Sequence, residues 1–155
     1  LNGIVKGQAG APGELSGSFA SDEVYGSLYQ NTETGVFGEL NEEFLTVQDS
    51  VPVLNKQEVK TGDAIIRCTL DDGGIKEYEI QIEKIDLNEK ALTKNMVISV
   101  TDPELLDKTG GIVQGMSGSP ILQDGKLVGA VTHVFVDIPT KGNGIIAENM
   151  LKTAA

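Results

Sequence analysis

An antiparallel all-β fold is what the sequence predicts, and three observations carry the prediction. Apolar and polar residues alternate across Tyr78 to Glu83 and again across Met96 to Thr101, the period of a half-buried strand. Asp71-Asp72-Gly73-Gly74 separates two such runs and is a strong hairpin signal. The 19 glycines fall mostly at turn positions, as many short strands joined by tight turns require. A chain of 155 residues suits one domain or one compact pair of β-modules, enough to bury a core without covalent staples.

Taken in order, Val24 to Leu28 and Gly35 to Leu40 read as short strands around the polar turn Asn31-Thr32-Glu33-Thr34. Patterning weakens near 41–55, where a seam between modules is expected. Ala64 to Leu70 and Lys76 to Ile85 form the next hairpin, with Tyr78, Ile80 and Ile82 on its core face. Met96, Ile98 and Val100 mark the inner face of a further strand. At 102–108 the pattern turns helical: Thr101 or Asp102 can cap, Pro103 suits the first helical position, Glu104 adds a favourable charge, and Gly110-Gly111 ends it. Pro120 to Leu122 and Leu127 to Val136 bracket the turn Gln123-Asp124-Gly125-Lys126. A closing helix is expected over 145–152, with Ile146, Met150 and Leu151 near one face. A two-barrel or distorted single-barrel architecture fits this order.

The formal charge of −11 argues against nucleic acid and anionic lipid surfaces as partners. No apolar run is long enough to span a bilayer as a helix. The chain opens at Leu1 with no basic-then-apolar leader, so a fragment is expected, with any targeting segment upstream. One histidine and one cysteine, far apart, do not make a metal site, and no cofactor is expected. Cys68, the lone cysteine, sits within an alternating run and reads as a buried strand position rather than a nucleophile.

The stretch with chemistry in it is Gly110-Gly111-Ile112-Val113-Gln114-Gly115-Met116-Ser117-Gly118-Ser119-Pro120. Hydrolysis by serine needs a hydroxyl projected from a tight turn, a base to take its proton, and backbone N–H groups facing the oxyanion. Gly115 and Gly118 flank Met116-Ser117, and glycine permits both the sharp turn and an unobstructed N–H. The N–H groups of Gly115 and Ser117 can then face one concavity, an oxyanion hole with Ser117 as nucleophile. The four residues alone would equally suit a glycine-rich turn with incidental serines, and Ser119 reads as a locally bonded neighbour. The residues downstream favour the enzyme: a strand, a polar hairpin turn, then Gly129 to Val134. That is the order in chymotrypsin-like peptidases, where the second strand pairs with the substrate backbone. Thr132, His133 and Val134 are therefore candidate substrate-binding residues. His133 is the only histidine, but its mid-strand position suits a specificity pocket better than a general base. A non-catalytic β-domain that binds peptides by strand addition along the same edge is the alternative.

Thr109-Gly-Gly-Ile-Val-Gln-Gly-Met-Ser-Gly-Ser-Pro-Ile121 resembles the nucleophile motif of the SpoIVB peptidase family. Gly129 to Phe135, Gly144 to Leu151 and the early Gly10-Ala-Pro-Gly-Glu-Leu-Ser-Gly17 resemble stretches of the same family. The resemblance implies a chymotrypsin-like serine endopeptidase made during endospore formation. Such an enzyme is secreted from the forespore into the space between the spore membranes. There it cleaves a regulator of an intramembrane protease and triggers late sigma-factor activation. It implies a membrane anchor and a PDZ domain upstream, so the whole protein is expected to be membrane-associated. It assigns the nucleophile to Ser117 and the catalytic aspartate to Asp102, fifteen residues earlier. Read from its own neighbours, Asp102 is a helix N-cap. The family's catalytic histidine lies in a Gly-His pair, and this sequence contains none, so the chain alone is expected to be inactive.

Overall fold

In the computed structural model, which describes residues 1–45 and 49–154, six antiparallel strands close into a barrel preceded by two short ribbons. The first ribbon pairs β1 (Gly3–Val5) with β2 (Glu14–Ser16). The second pairs β3 (Gly26–Thr32) with β4 (Gly35–Leu40) around Glu33-Thr34. The barrel comprises β5 (Gly62–Thr69), β6 (Ile75–Ile85), β7 (Met96–Val100), β8 (Pro120–Gln123), β9 (Lys126–Val134) and β10 (Lys141–Ile146), in the order β10-β7-β6-β5-β8-β9. This is the all-β, chymotrypsin-like architecture expected from the sequence. The seam read near 41–55 falls between β4 and the barrel, and its residues 46–48 lie outside the described residues.

The alternation in the sequence becomes the inside and outside of the barrel. Tyr78, Ile80 and Ile82 are buried while Glu77, Glu79 and Glu83 are exposed, and Met96, Ile98 and Val100 enter the same core with Ile66, Ile121 and Val128. Asp124 and Gly125, both in the left-handed region at φ 51° and 74°, make the two-residue turn between β8 and β9. Both central residues at positive φ are what a tight hairpin needs, so the turn is shorter than the four residues expected.

Two expectations are corrected. The strand read from Val24 begins at Gly26 and runs on to Thr32, because Asn31 and Thr32 pair with Val36 and Gly35. The closing helix does not begin at 145: Ile145 and Ile146 belong to β10, and the helix, α2, is Ala147–Ala154. Leu151 lies half exposed on it rather than on a core face. The reason is β-pairing. Gly144, Ile145 and Ile146 lie opposite Val131, Ala130 and Gly129, and buried Asn95 accepts from the Ile146 N–H at 3.0 Å. Asn95 also accepts from the Asn149 side chain at 3.1 Å, so one residue fixes the strand-to-helix junction.

Gly129 leaves no room for a side chain between β9 and β10. A Cβ there would lie 1.8 Å from the Ile145 carbonyl oxygen and 2.9 Å from the Met96 methyl. Gly129→Ala must spread the two strands. It is expected to cost about 3 kcal/mol, lowering the melting temperature by roughly 6–12 °C. Thermal unfolding followed by circular dichroism checks this, and a melting point within about 2 °C of the parent would show that the strands separate freely.

Candidate active site

Helix α1 (Pro103–Thr109) delivers the chain to the nucleophile loop. Asp102 caps it: one carboxylate oxygen accepts from the N–H groups of Glu104 and Leu105 at 2.9 and 3.0 Å, and Pro103 occupies the first turn. On the outer side, Lys108 sits between Asp71 at 2.6 Å and Glu104 at 2.8 Å, tying α1 to the β5–β6 hairpin. Hydrogen bonding to Lys108 holds both carboxyl groups below their ordinary range. Gly110 ends the helix at φ 74°. Gly111 comes next at φ 136°, and a side chain there would strike the Pro139 carbonyl.

The loop is then braced from both sides. The Ile112 N–H donates to the Pro139 carbonyl at 2.8 Å, while Met116 buries its side chain and its N–H donates to the Val113 carbonyl at 3.1 Å. With Met116 pointing inward, Ser117 faces outward and is exposed. From the other side comes Gly10-Ala-Pro-Gly-Glu-Leu. The Gln114 N–H donates to the Gly13 carbonyl and the Leu15 N–H to the Gln114 carbonyl, each at 2.8 Å. The Leu15 side chain lies against Gly115. That motif stood out in the sequence without a role; its place here is to clamp the nucleophile loop. Gly115 and Gly118 both take positive φ, 98° and 89°, which favours glycine at each. Among the described residues the N–H groups of Gly115 and Ser117 have no acceptor, whereas the Gly118 N–H donates to the Val131 carbonyl at 2.8 Å.

Ser117 stands at the end of β9. Its hydroxyl donates to the Thr132 carbonyl at 3.0 Å. Thr132 is the extra residue of a bulge, since Gly144 faces Val131 while Asn143 faces His133. The Phe135 N–H donates to the Lys141 carbonyl at 2.9 Å, and the alternation of an antiparallel ladder then turns the backbone of His133 toward β10. The N–H and carbonyl of Val134, like the Thr132 carbonyl, face the other way, onto the edge beside Ser117. The Thr132 side chain donates to the Thr93 carbonyl at 2.9 Å, pinning the bulge to the β6–β7 connection. The His133 ring is exposed on the wall of a cleft that also contains Ser117, Gly118 and Thr132.

The structure thus brings Gly115, Ser117, Thr132, His133 and Val134 together. Asp102 does not line the cleft that holds Ser117, Thr132 and His133. The second Asp102 carboxylate oxygen accepts from the Glu79 N–H at 3.2 Å, on β6. Asp102 follows β7 and sits where that strand leaves β6 for α1. Cys68 is on β5, partly buried, and loss of solvent raises its thiol pKa to about 11, which keeps it protonated at neutral pH. What the sequence did not reveal is the contribution of β3 and β4: Thr32 to Val36, at the tip of that hairpin, forms the far wall of the cleft.

A closed antiparallel barrel with an outward serine between two positive-φ glycines, set against a strand edge, is chymotrypsin-like in architecture and has the arrangement a serine peptidase requires. A family model described as SpoIVB peptidase S55 matches residues 1–151. The chain belongs to that family and is a serine peptidase, a hydrolase of the sporulation type. No curated protein matches it.

Proposed function

We propose that Ser117 is the nucleophile of a serine endopeptidase that binds its protein substrate by strand addition to Thr132, His133 and Val134. The observation that carries this reading is the 3.0 Å hydrogen bond from the Ser117 hydroxyl to the Thr132 carbonyl, which joins the reactive group to the free strand edge. A peptide N–H pairing with that carbonyl competes for the same acceptor and releases the hydroxyl for attack. The N–H groups of Gly115 and Ser117, without an acceptor among the described residues, receive the oxyanion. The resemblance to sporulation peptidases supports, as the substrate in this reading, a regulator of an intramembrane protease whose cleavage triggers late sigma-factor activation. The enzyme acts in the space between the spore membranes after secretion from the forespore, with the whole protein attached to a membrane.

The general base in this reading is not His133, whose backbone belongs to the β9–β10 ladder and whose ring flanks the substrate edge. The chain alone therefore lacks useful peptidase activity, because a serine without a base is a weak nucleophile at neutral pH. In an active form of the peptidase, His133→Ala is expected to raise the Michaelis constant and change which peptides are cut. A serine-directed phosphonate should label Ser117 at an unchanged rate, as read by intact mass. Loss of labelling in His133→Ala would instead make His133 the base. Strong Ser117-dependent hydrolysis of casein by the present chain would do the same.

A further inference from the structure

Between β9 and the tip of the β3–β4 hairpin lies a cleft of about 590 Å³ that opens at Ser117. Pockets of this size hold a side chain or a small ligand. Its floor is made by Ala130, Val131 and Ile145, all buried, and its far side by Met150 of α2 and Val36 of β4. Among the described residues, Glu33, at the exposed hairpin turn, is the one carboxylate on its wall, His133 at the substrate edge is the one side chain there that can become cationic, and no lysine or arginine lines it. An acidic guest would meet Glu33 with no lysine or arginine of the cleft to offset it, in a protein that already carries a charge of −11. A neutral apolar guest would cover Val36 and Met150 over an apolar floor and leave the exposed Glu33 at the rim in water.

Resting on the reading of β9 as the substrate edge, we infer that this cleft receives an aliphatic side chain of the bound peptide. The substrate class is accordingly an extended segment with a leucine-like residue close to the scissile bond and no acidic residue beside it. The edge supplies affinity through backbone bonds that any sequence can make. The cleft supplies the choice, because side chains of a paired strand alternate and only one set can enter it. Val36 is the specificity-determining residue most open to test, being about 55% exposed on a hairpin outside the barrel core.

The test titrates the isotopically labelled chain with acetylated hexapeptides of alanine and threonine carrying leucine, glycine or aspartate at one scanned position. Amide shifts at Thr132 and Val134 report edge pairing, and the dissociation constants report the cleft. The leucine peptide is expected to bind about ten- to a hundredfold more tightly than the glycine peptide, with the aspartate peptide weakest. Val36→Glu, checked for an unchanged barrel spectrum, should erase the leucine preference and leave the glycine peptide unaffected. Edge shifts with equal affinity for all three peptides would overturn the cleft assignment and leave the strand-addition reading standing. A leucine preference that survives Val36→Glu would also overturn it. Absence of shifts at Thr132 and Val134 with every peptide would remove the strand-addition reading and this inference with it.

Discussion

Ser117→Ala in the active peptidase is expected to lower kcat by about 10⁴- to 10⁶-fold, the range seen when a serine nucleophile is removed from a triad enzyme. The Michaelis constant should change little, since the Thr132 and Val134 backbone groups that hold the peptide are untouched. Stability should change little as well. The serine hydroxyl is exposed and makes one hydrogen bond, to the Thr132 carbonyl, worth about 1 kcal/mol or less. Both parts matter: a large kinetic loss in a protein that melts with its parent isolates the chemistry of the hydroxyl. Steady-state kinetics on a cleaved reporter peptide, with melting in parallel, checks the pair. Equal kcat in the two proteins removes Ser117 from the mechanism.

The second large effect concerns Asp102, for which family resemblance and structure give different roles. Its carboxylate is engaged by the N–H groups of Glu79, Glu104 and Leu105. Removing it uncaps α1 and frees β6 from the helix start. Asp102→Ala is therefore expected to cost about 2 kcal/mol of stability. Asp102→Asn keeps one acceptor oxygen for the cap but turns an amide toward the Glu79 N–H, so about half that cost is expected. Because α1 leads into Gly110-Gly111 and the nucleophile loop, activity should follow the stability loss, falling less than about tenfold in the asparagine variant. A carboxylate orienting a catalytic histidine behaves otherwise. There asparagine preserves geometry and still costs about 10⁴-fold in kcat. A loss of that size in an Asp102→Asn protein with parental melting would assign Asp102 to the histidine.

The strands whose side chains alternate were legible, because burial on one face leaves a period of two: Tyr78, Ile80 and Ile82 are the plainest case. The Asp124-Gly125 turn was legible for a similar reason, as few residues accept positive φ. Strand β10 was not. Its Gly142, Asn143 and Gly144 carry almost no strand propensity, and they are small because of their neighbours. A Cβ on Gly142 would meet the His133 carbonyl at 2.2 Å, and one on Gly144 would meet the Ile121 methyl at 2.8 Å. Their reason for being small lies across the barrel rather than along the chain, where no local pattern records it. The same holds for the site. Ser117 and the Thr132–Val134 edge could be paired from their order in the sequence. The clamp by Gly13 and Leu15 and the wall at Thr32 to Val36 join residues some 80 to 100 positions apart through contacts with no local signature. Asp102 shows the reverse limit, since a cap and a catalytic acid look identical when only the residues around them are read.

The β3–β4 hairpin has few ties to the rest of the molecule. Among the described residues its one side-chain hydrogen bond to the barrel unit runs from Thr34 to Thr153 at 2.9 Å, and Gly35 and Met150 line the same cleft. A two-stranded ribbon gains little stability by itself. Its amides should therefore exchange with solvent deuterium through local opening, at a free energy well below that of the barrel and nearly indifferent to denaturant. On that expectation the two walls of the cleft belong to separate cooperative units. One is expected to persist until the domain unfolds and the other to detach and return many times within the folded lifetime, so that entry of a long protein segment need not wait for the barrel to yield.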